Sequence, residues 1–227
     1  MTSIFEKALG ADFARLHPML QRRFGFSSAD GIACIGRGTM TDISRGPWWT
    51  LPFLRLGSWR NILFPESGRD VPFTIENYAY VDGFGRETVT FVRTFELAPT
   101  RRRRFDATMV YDPERGGLVD YLGTHQHLAV DLEMSVGSGG ELLLRSRGQR
   151  FYEGPLGFPF PLLLSGVADL TEAYDDERGL YTIDVRVTHR RRRHLFGYRG
   201  EFTCEFPEVP PGGVPPTVKP LREERRT

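Results

Sequence analysis

Phe5, Leu9, Phe13, Leu16 and Leu20 recur three and four residues apart, the spacing of one apolar helix face, and Ser3 with Glu6 forms a capping box ahead of them. Pro18 interrupts the pattern, because proline is tolerated in a first helical turn but not inside a helix. The chain therefore predicts a short helix to about Leu9, a break near Gly10 to Asp12, and a second helix restarting at His17 and Pro18, with His17 as its cap.

From Gly31 onward the period falls to two. Val71, Phe73 and Ile75 alternate, as do Val89, Phe91, Phe95 and Leu97, then Phe105, Ala107, Met109 and Tyr111. Further runs are Leu128, Val130, Leu132 and Met134, then Tyr181, Ile183, Val185 and Val187, and last Phe196, Tyr198, Phe202, Cys204 and Phe206. Each has one apolar and one polar face, as strands of an antiparallel sheet do. Gly197 and Gly200 mark bulges or sharp coiling where the sheet curves. The fold class expected is mainly β: a strongly curved antiparallel meander or barrel-like sheet with N-terminal helices packed against it, one domain over residues 1–206. Residues 44–59, SRGPWWTLPFLRLGSW, break the alternation and suggest a short helix or lid over one opening. Residues 207–227 are proline-rich and poor in large apolar side chains, and are expected to be a disordered tail.

If hairpins join successive strands, their turns alternate between the two ends of the sheet. One end receives the tight acidic turns at 82–85, 112–117, 137–140 and 175–179. The other receives residues 99–104, 123–127, 154–166 and 189–194, which bring arginines together with an apolar loop. Such a rim suits anionic lipid headgroups, or a ligand with an apolar body and an acidic head.

Composition narrows this picture. A chain of 227 residues that is 40% hydrophobic can bury one sizeable core. A net charge of +1 excludes a globally basic nucleic-acid binder, and no nucleic-acid partner is expected. No apolar run is long enough to span a membrane and no signal core follows the N-terminus, so a cytoplasmic location is expected, with peripheral membrane contact as an extension. Only Lys7 and Lys219 are lysines among 30 basic residues, a bias that reflects codon usage more readily than guanidinium chemistry. Cys34 and Cys204 lie in strand-like segments without framework spacing, and are read as free buried thiols.

Candidate chemistry centres on DYLGTHQHLAVD, residues 120–131. His125 and His127 would share a strand face with Asp131 and Glu133 if the strand ran straight, as a metal quartet requires. Gly123 and Thr124 sit where a hairpin must turn, however, so the histidines are assigned to a loop and the start of a strand, lining a rim; no metal and no cofactor are expected. Arg93 falls on the same alternate positions as Phe91 and Phe95, and an inward charge needs a partner: a ligand carboxylate or phosphate, Glu87, or another inward carboxylate. Arg150, Tyr152 and Glu153 stand beside the apolar loop that carries Phe158 and Phe160, and Tyr121 is a further polar contact. No Ser-His-Asp order or glycine-rich phosphate loop appears, and no catalytic residue is assigned.

Together, FDATMVYDPERGGLVDYLGTHQHLAVDLEMSV, RSRGQRFYEGPLGFPFPLLLSGVADLTEAYDDE and FGYRGEF resemble a bacterial domain of unknown function, DUF4166, over most of residues 11–206. That domain is similar to the C-terminal part of YndJ-like membrane proteins and also occurs attached to Rossmann-type dehydrogenase domains. The resemblance carries over no catalytic residues. It implies work at a membrane surface or on an apolar metabolite. This chain departs from it in standing alone and in carrying RRRR at 190–193.

The leading expectation is non-catalytic binding of a lipid-like or amphipathic ligand at a basic, apolar-rimmed barrel mouth, through Arg93, Tyr121, His125, His127, Arg150, Tyr152, Phe158 and Phe160. The alternatives are a small enzyme or cyclase acting on an apolar carbonyl or isoprenoid substrate, with His125, His127 or Asp120 as acid or base, and a protein-interaction module docking through the apolar loop.

Overall fold

The computed structural model describes residues 2–160, 166–189 and 193–227. Helix α1 (Ile4–Leu9) begins where the capping residues indicate, the Ser3 hydroxyl accepting the Glu6 N–H at 3.0 Å. A 3₁₀ segment over Gly10–Arg15 carries the break. Helix α2 (Pro18–Phe24) then starts with Pro18 in its first turn, capped by His17 Nδ1 accepting the Met19 N–H at 3.2 Å.

Eleven strands follow among the described residues: β1 (Ala33–Arg45), β2 (Gly68–Val81), β3 (Glu87–Ala98), β4 (Arg101–Asp112), β5 (Gly117–Leu122), β6 (Leu128–Val136), β7 (Leu142–Glu153), β8 (Leu156–Pro159), β9 (Val167–Asp175), β10 (Leu180–Thr188) and β11 (His194–Glu205). Strands β1 to β6 pair in sequence order, β11 pairs β1 and β10, and β9 pairs β10. Strand β7 closes the ring, bonding β6 along most of one edge and β9 through Leu142 to Arg145 on the other, while β8 folds back on its far half. The result is a closed ten-stranded antiparallel barrel, the extreme of the curvature the pattern predicts. Closure leaves no long unpaired edge among the described strands.

The bulge marked by glycine lies in the neighbouring strand. The β1–β11 register slips between Met40 and Asp42, opposite Gly200 and Arg199, and the Thr41 hydroxyl bonds the Arg199 carbonyl at 3.1 Å. A Cβ on Gly200 would stand 2.2 Å from the Thr39 carbonyl oxygen, so only glycine lets β1 coil this closely.

Inward side chains from opposite walls meet as a continuous aromatic core. Phe95 packs on Phe73 and Tyr198 at 5.1 and 5.3 Å, and Tyr181 stacks on Phe202 at 5.4 Å. The N-terminal helices plug the acidic end, where Phe5 meets Phe24 and Phe91 at 4.7 and 6.0 Å and the His17 N–H bonds the Gly140 carbonyl at 2.9 Å.

The expected disordered tail is not what the structure shows. Residues 207–227 cross the outer wall over β3 to β7 and cover a second cluster of Val110, Val119, Tyr121, Ala129 and Tyr152. Its anchors are polar. Glu224 is buried between Arg222 and Arg226, its N–H donates to Gln126 at 2.6 Å, and Arg86 donates to the Glu224 carbonyl at 2.8 Å. A segment too polar to form a core alone is ordered by lying on one already built.

Candidate functional site at the basic pole

Antiparallel pairing sends the β3–β4, β5–β6, β7–β9 and β10–β11 connections to the same pole, as the counting of turns anticipates. Residues 161–165 of the apolar loop and 190–192 of the arginine run lie outside the described residues. The pole is not an open mouth. The segment between β1 and β2, with a 3₁₀ turn at Trp48–Thr50 and helix α3 (Leu51–Ser58), closes it. Its buried Phe64 packs on Phe95 and Phe196, each ring centre 5.0 Å away.

Backbone contact pins the lid. Asn61, at φ 54°, accepts the Asp106 N–H at 2.8 Å, and the Arg60 carbonyl accepts the Thr124 N–H at 2.9 Å. Gly123, at φ 78°, leaves room for that carbonyl; a Cβ there would sit 2.4 Å from it.

The lid turns apolar side chains outward as well as inward. Trp48 and Trp59 are 79% and 85% exposed, and Phe53 and Leu56 are also exposed. Leu156 and Phe158, on the β7–β8 hairpin at the same pole, are exposed too, so this end carries six of the nine exposed large apolar side chains among the described residues. Interleaved with them, Arg45, Arg55, Arg60, Arg69, Arg101 and Arg193 make no ion pair among the described residues, whereas Arg103 and Arg104 are held by Glu66 and Asp106. Arg193 lies over the Trp49 ring at 5.9 Å. Between the ends of β1 and β2 a shallow groove of about 520 Å³ is lined by Ser44, Arg45, Ser67 and Arg69, with Asp42 beside them.

The other candidate residues divide into three places. His125 and His127 stack at 5.5 Å, and His127 stacks on Phe151, which reaches Phe158 and Phe160, so a ribbon of rings runs from the β5–β6 loop to the hairpin. Burial, reinforced by Arg60, lowers the His125 pKa. His127 Nδ1 lies 3.0 Å from both the Tyr152 carbonyl and Glu153, and Arg222 of the tail approaches it equally closely. Among the described residues no three histidine, cysteine or acidic side chains stand together as a metal site.

Tyr121, Tyr152 and Arg150 belong to the outer wall. The Tyr121 hydroxyl donates to the Arg226 carbonyl at 2.8 Å, that of Tyr152 donates to Thr227, and Arg150 forms a two-pronged pair with Asp131 at 2.6 and 2.7 Å. The expected ligand contacts at these two tyrosines are taken by the chain's own tail.

Arg93 and Asp120 are the candidates buried inside the barrel. Glu87, one partner expected for Arg93, accepts from Ser28 instead. Arg93 rests on the Phe105 and Phe91 rings at 4.7 and 5.3 Å, with Nε and Nη1 unpartnered. Asp120 and Tyr198 are buried within its field, and Asp120 Oδ1 and the Tyr198 hydroxyl are also unpartnered. Burial, opposed by the Arg93 charge, pushes Asp120 up to about 7. Sequence reading missed the outward tryptophans, since alternation cannot tell which side of a lid faces water, and the buried Arg23, Glu172 and Asn77, which only the closed barrel brings together.

The fold and this pole define a closed, lidded antiparallel barrel with one basic, apolar end. The chain belongs to the family described as "Domain of unknown function (DUF4166)", whose model matches residues 16–202. It is also similar to the uncharacterized protein YndH of Bacillus subtilis (strain 168), 31% identical over 205 residues that cover 90% of this chain and 98% of that protein.

Proposed function

We propose that the protein is a non-catalytic module whose basic pole engages anionic amphiphiles, foremost a membrane surface with acidic headgroups. The observation that carries this reading is the gathering of Trp48, Phe53, Leu56, Trp59, Leu156 and Phe158 on one end of the barrel with six arginines that make no ion pair among the described residues. Exposed tryptophan at a rim suits the interfacial layer of a bilayer, where its ring is buried and its N–H stays wet. Each arginine near an anionic surface adds about 1 kcal/mol, and each fully buried large apolar side chain about 1.5–3 kcal/mol. Aromatic rings fill the barrel where an enclosed ligand would lie, so the amphiphile is met at the rim; the Arg45–Arg69 groove is the place for its head. Among the described residues no helix is long and apolar enough to cross a membrane.

Flotation with vesicles of neutral phospholipid, with and without acidic phospholipid, tests the reading. Binding to the acidic vesicles alone, weakened by salt, supports it. Absence of binding to both, with no lipid co-purifying by mass spectrometry, refutes it.

A second reading rests on Asp120, a buried carboxyl whose pKa near 7 suits a proton donor or acceptor, facing Arg93 and Tyr198 beneath the lid. It requires the lid to open, and turnover of an apolar carbonyl substrate that Asp120→Asn abolishes would favour it.

A further inference from the structure

Arg23 is a fully buried guanidinium at the plugged end, and its partners come from four elements of the barrel. It pairs with Glu172 of β9, donates from Nη1 to Asn77 Oδ1 of β2 at 2.9 Å, and directs the same Nη1 at two sulfurs, Cys34 of β1 at 3.0 Å and Cys204 of β11 at 3.6 Å. Gly36 faces Cys204 across the β1–β11 ladder, so Cys34 and Cys204 are diagonal neighbours on the inner face. Pairing continues beyond them, the Ala33 N–H donating to the Pro207 carbonyl at 3.0 Å and Ile32 bridging Glu208, so the two sulfurs are held side by side by backbone on both flanks.

Glu172 takes the Arg23 Nε, and Nη1 on the other side of the guanidinium faces the two sulfurs, a donor that a thiolate can accept from. A hydrogen bond from the Cys204 thiol, with the Arg23 charge working against burial, draws Cys34 down to about 7, while the same contact and burial push Cys204 up: the two sulfurs share a proton. Cys34 is buried and Cys204 partly exposed, so one member of the pair is open to a small oxidant.

We infer that Cys34 and Cys204 are a dithiol site that a hydroperoxide converts to an intramolecular disulfide, with Arg23 holding the thiolate. Cys34 gives up its proton to solvent, Cys204 keeps its own, and the Cys34 thiolate attacks one oxygen of a peroxide that reaches it past the partly exposed Cys204. The O–O bond breaks, Cys34 becomes a sulfenic acid, and the second oxygen leaves as an alcohol or water after taking a proton back from solvent. The Cys204 sulfur then attacks the sulfenic sulfur, the S–S bond forms, and the sulfenic oxygen leaves as water with the Cys204 proton. Two thiols and one hydroperoxide thus give one disulfide, one alcohol or water, and one water; the sulfurs lose the two electrons that the O–O bond gains. The disulfide would join β1 to β11 beside the residue that anchors α2 to the barrel.

The full chain, treated with hydrogen peroxide under native conditions and quenched with an alkylating reagent, is read by intact mass and peptide mapping. The expected result is a loss of about 2 Da with a Cys34–Cys204 cross-linked peptide, reversed by dithiothreitol. Cys204→Ser should leave Cys34 as a sulfenic acid that dimedone traps. Arg23→Gln should slow cross-linking at least tenfold; since that variant risks unfolding, Arg23→Lys, which keeps a charge facing the sulfurs, should recover much of the rate, and Arg147→Gln, at an exposed ion pair with Glu133 away from the sulfurs, should oxidise at the wild-type rate. Two alkylated thiols after prolonged oxidation, or oxygen added to a cysteine without the cross-link, would overturn the inference.

Discussion

Arg93 and Asp120 are buried within each other's field inside the barrel, yet no ion pair joins them. A direct pair would satisfy both groups; instead each keeps unpartnered atoms, and Asp120 stays protonated up to about pH 7. The folded value lies above the ordinary 3.8, so the native chain holds this proton more tightly than the unfolded chain does. The stabilisation is therefore fully present below about pH 4, declines between pH 4 and 7, and is constant above, at about 1.4 kcal/mol per pH unit over that window. Asp120→Asn removes the titration. Urea unfolding from pH 4 to 8 should show the variant gaining on the wild type as pH rises, whereas parallel curves would mean that Asp120 is ionised in the fold.

Glu224 should behave in the opposite sense. Its hydrogen bond from Arg226 outweighs burial and holds it down at about 2, below the ordinary 4.5. Its contribution is present above about pH 4.5 and disappears as pH falls through 2. Glu224→Gln should cost about 1–3 kcal/mol at pH 7, and acidification should narrow the difference from wild type. A chain ending at Phe206 should lose more, because Val110, Val119 and Tyr121 would then face water, and it should bind a hydrophobic dye. If truncation leaves the unfolding midpoint unchanged, the tail is not part of the folded unit.

How much of this was legible in the sequence depends on what covers each strand. β2 and β10 show clean alternation because one face meets the core and the other is partly open to water. The outer face of β3 is buried at Thr88, Thr90 and Val92 yet reads as polar at its threonines. β5 does not alternate: Leu118 faces inward, but Val119 and Tyr121 are buried beneath the tail, so both faces look apolar. β9 hides its inward face behind Glu172, an acid whose partner Arg23 lies 149 residues away. In β1 the inward Gly36 shows no apolar signal because Ile75 and Phe202 occupy the space its side chain would need. Composition misjudged the tail for a similar reason: proline and charge forbid a core of its own, but say nothing of docking on another surface. Turn counting succeeded because it needs only antiparallel pairing, and it placed the basic pole without any side-chain detail.

Gly123 tests the attachment of the lid. Its left-handed φ of 78° and the Arg60 carbonyl, 2.4 Å from where a Cβ would stand, leave no room for alanine. Gly123→Ala should destabilise the protein by about 1–3 kcal/mol, mainly by loosening the lid. Limited proteolysis should cut within residues 46–67 faster than in the wild type, at a protein concentration where the rest of the chain is still protected. Equal cleavage rates would show that the lid does not depend on this contact.

The rim separates stability from function, because its apolar side chains are already exposed. Trp48→Ser with Trp59→Ser removes two large rings from solvent and little from the core, so the unfolding free energy should change by less than about 0.5 kcal/mol. Partition onto acidic vesicles should nevertheless fall by at least tenfold, as loss of about 1.4 kcal/mol of interfacial burial would produce. Arg55→Glu with Arg60→Glu should act differently, lowering affinity at low salt and flattening its salt dependence, since these charges act through the surface potential. The two pairs of variants thus read the apolar and electrostatic parts of one surface independently. Stable tryptophan variants that partition like wild type would leave the exposed rings without a membrane role, and light scattering that reveals dimers lost in the same variants would reassign the rim to a second copy of the chain.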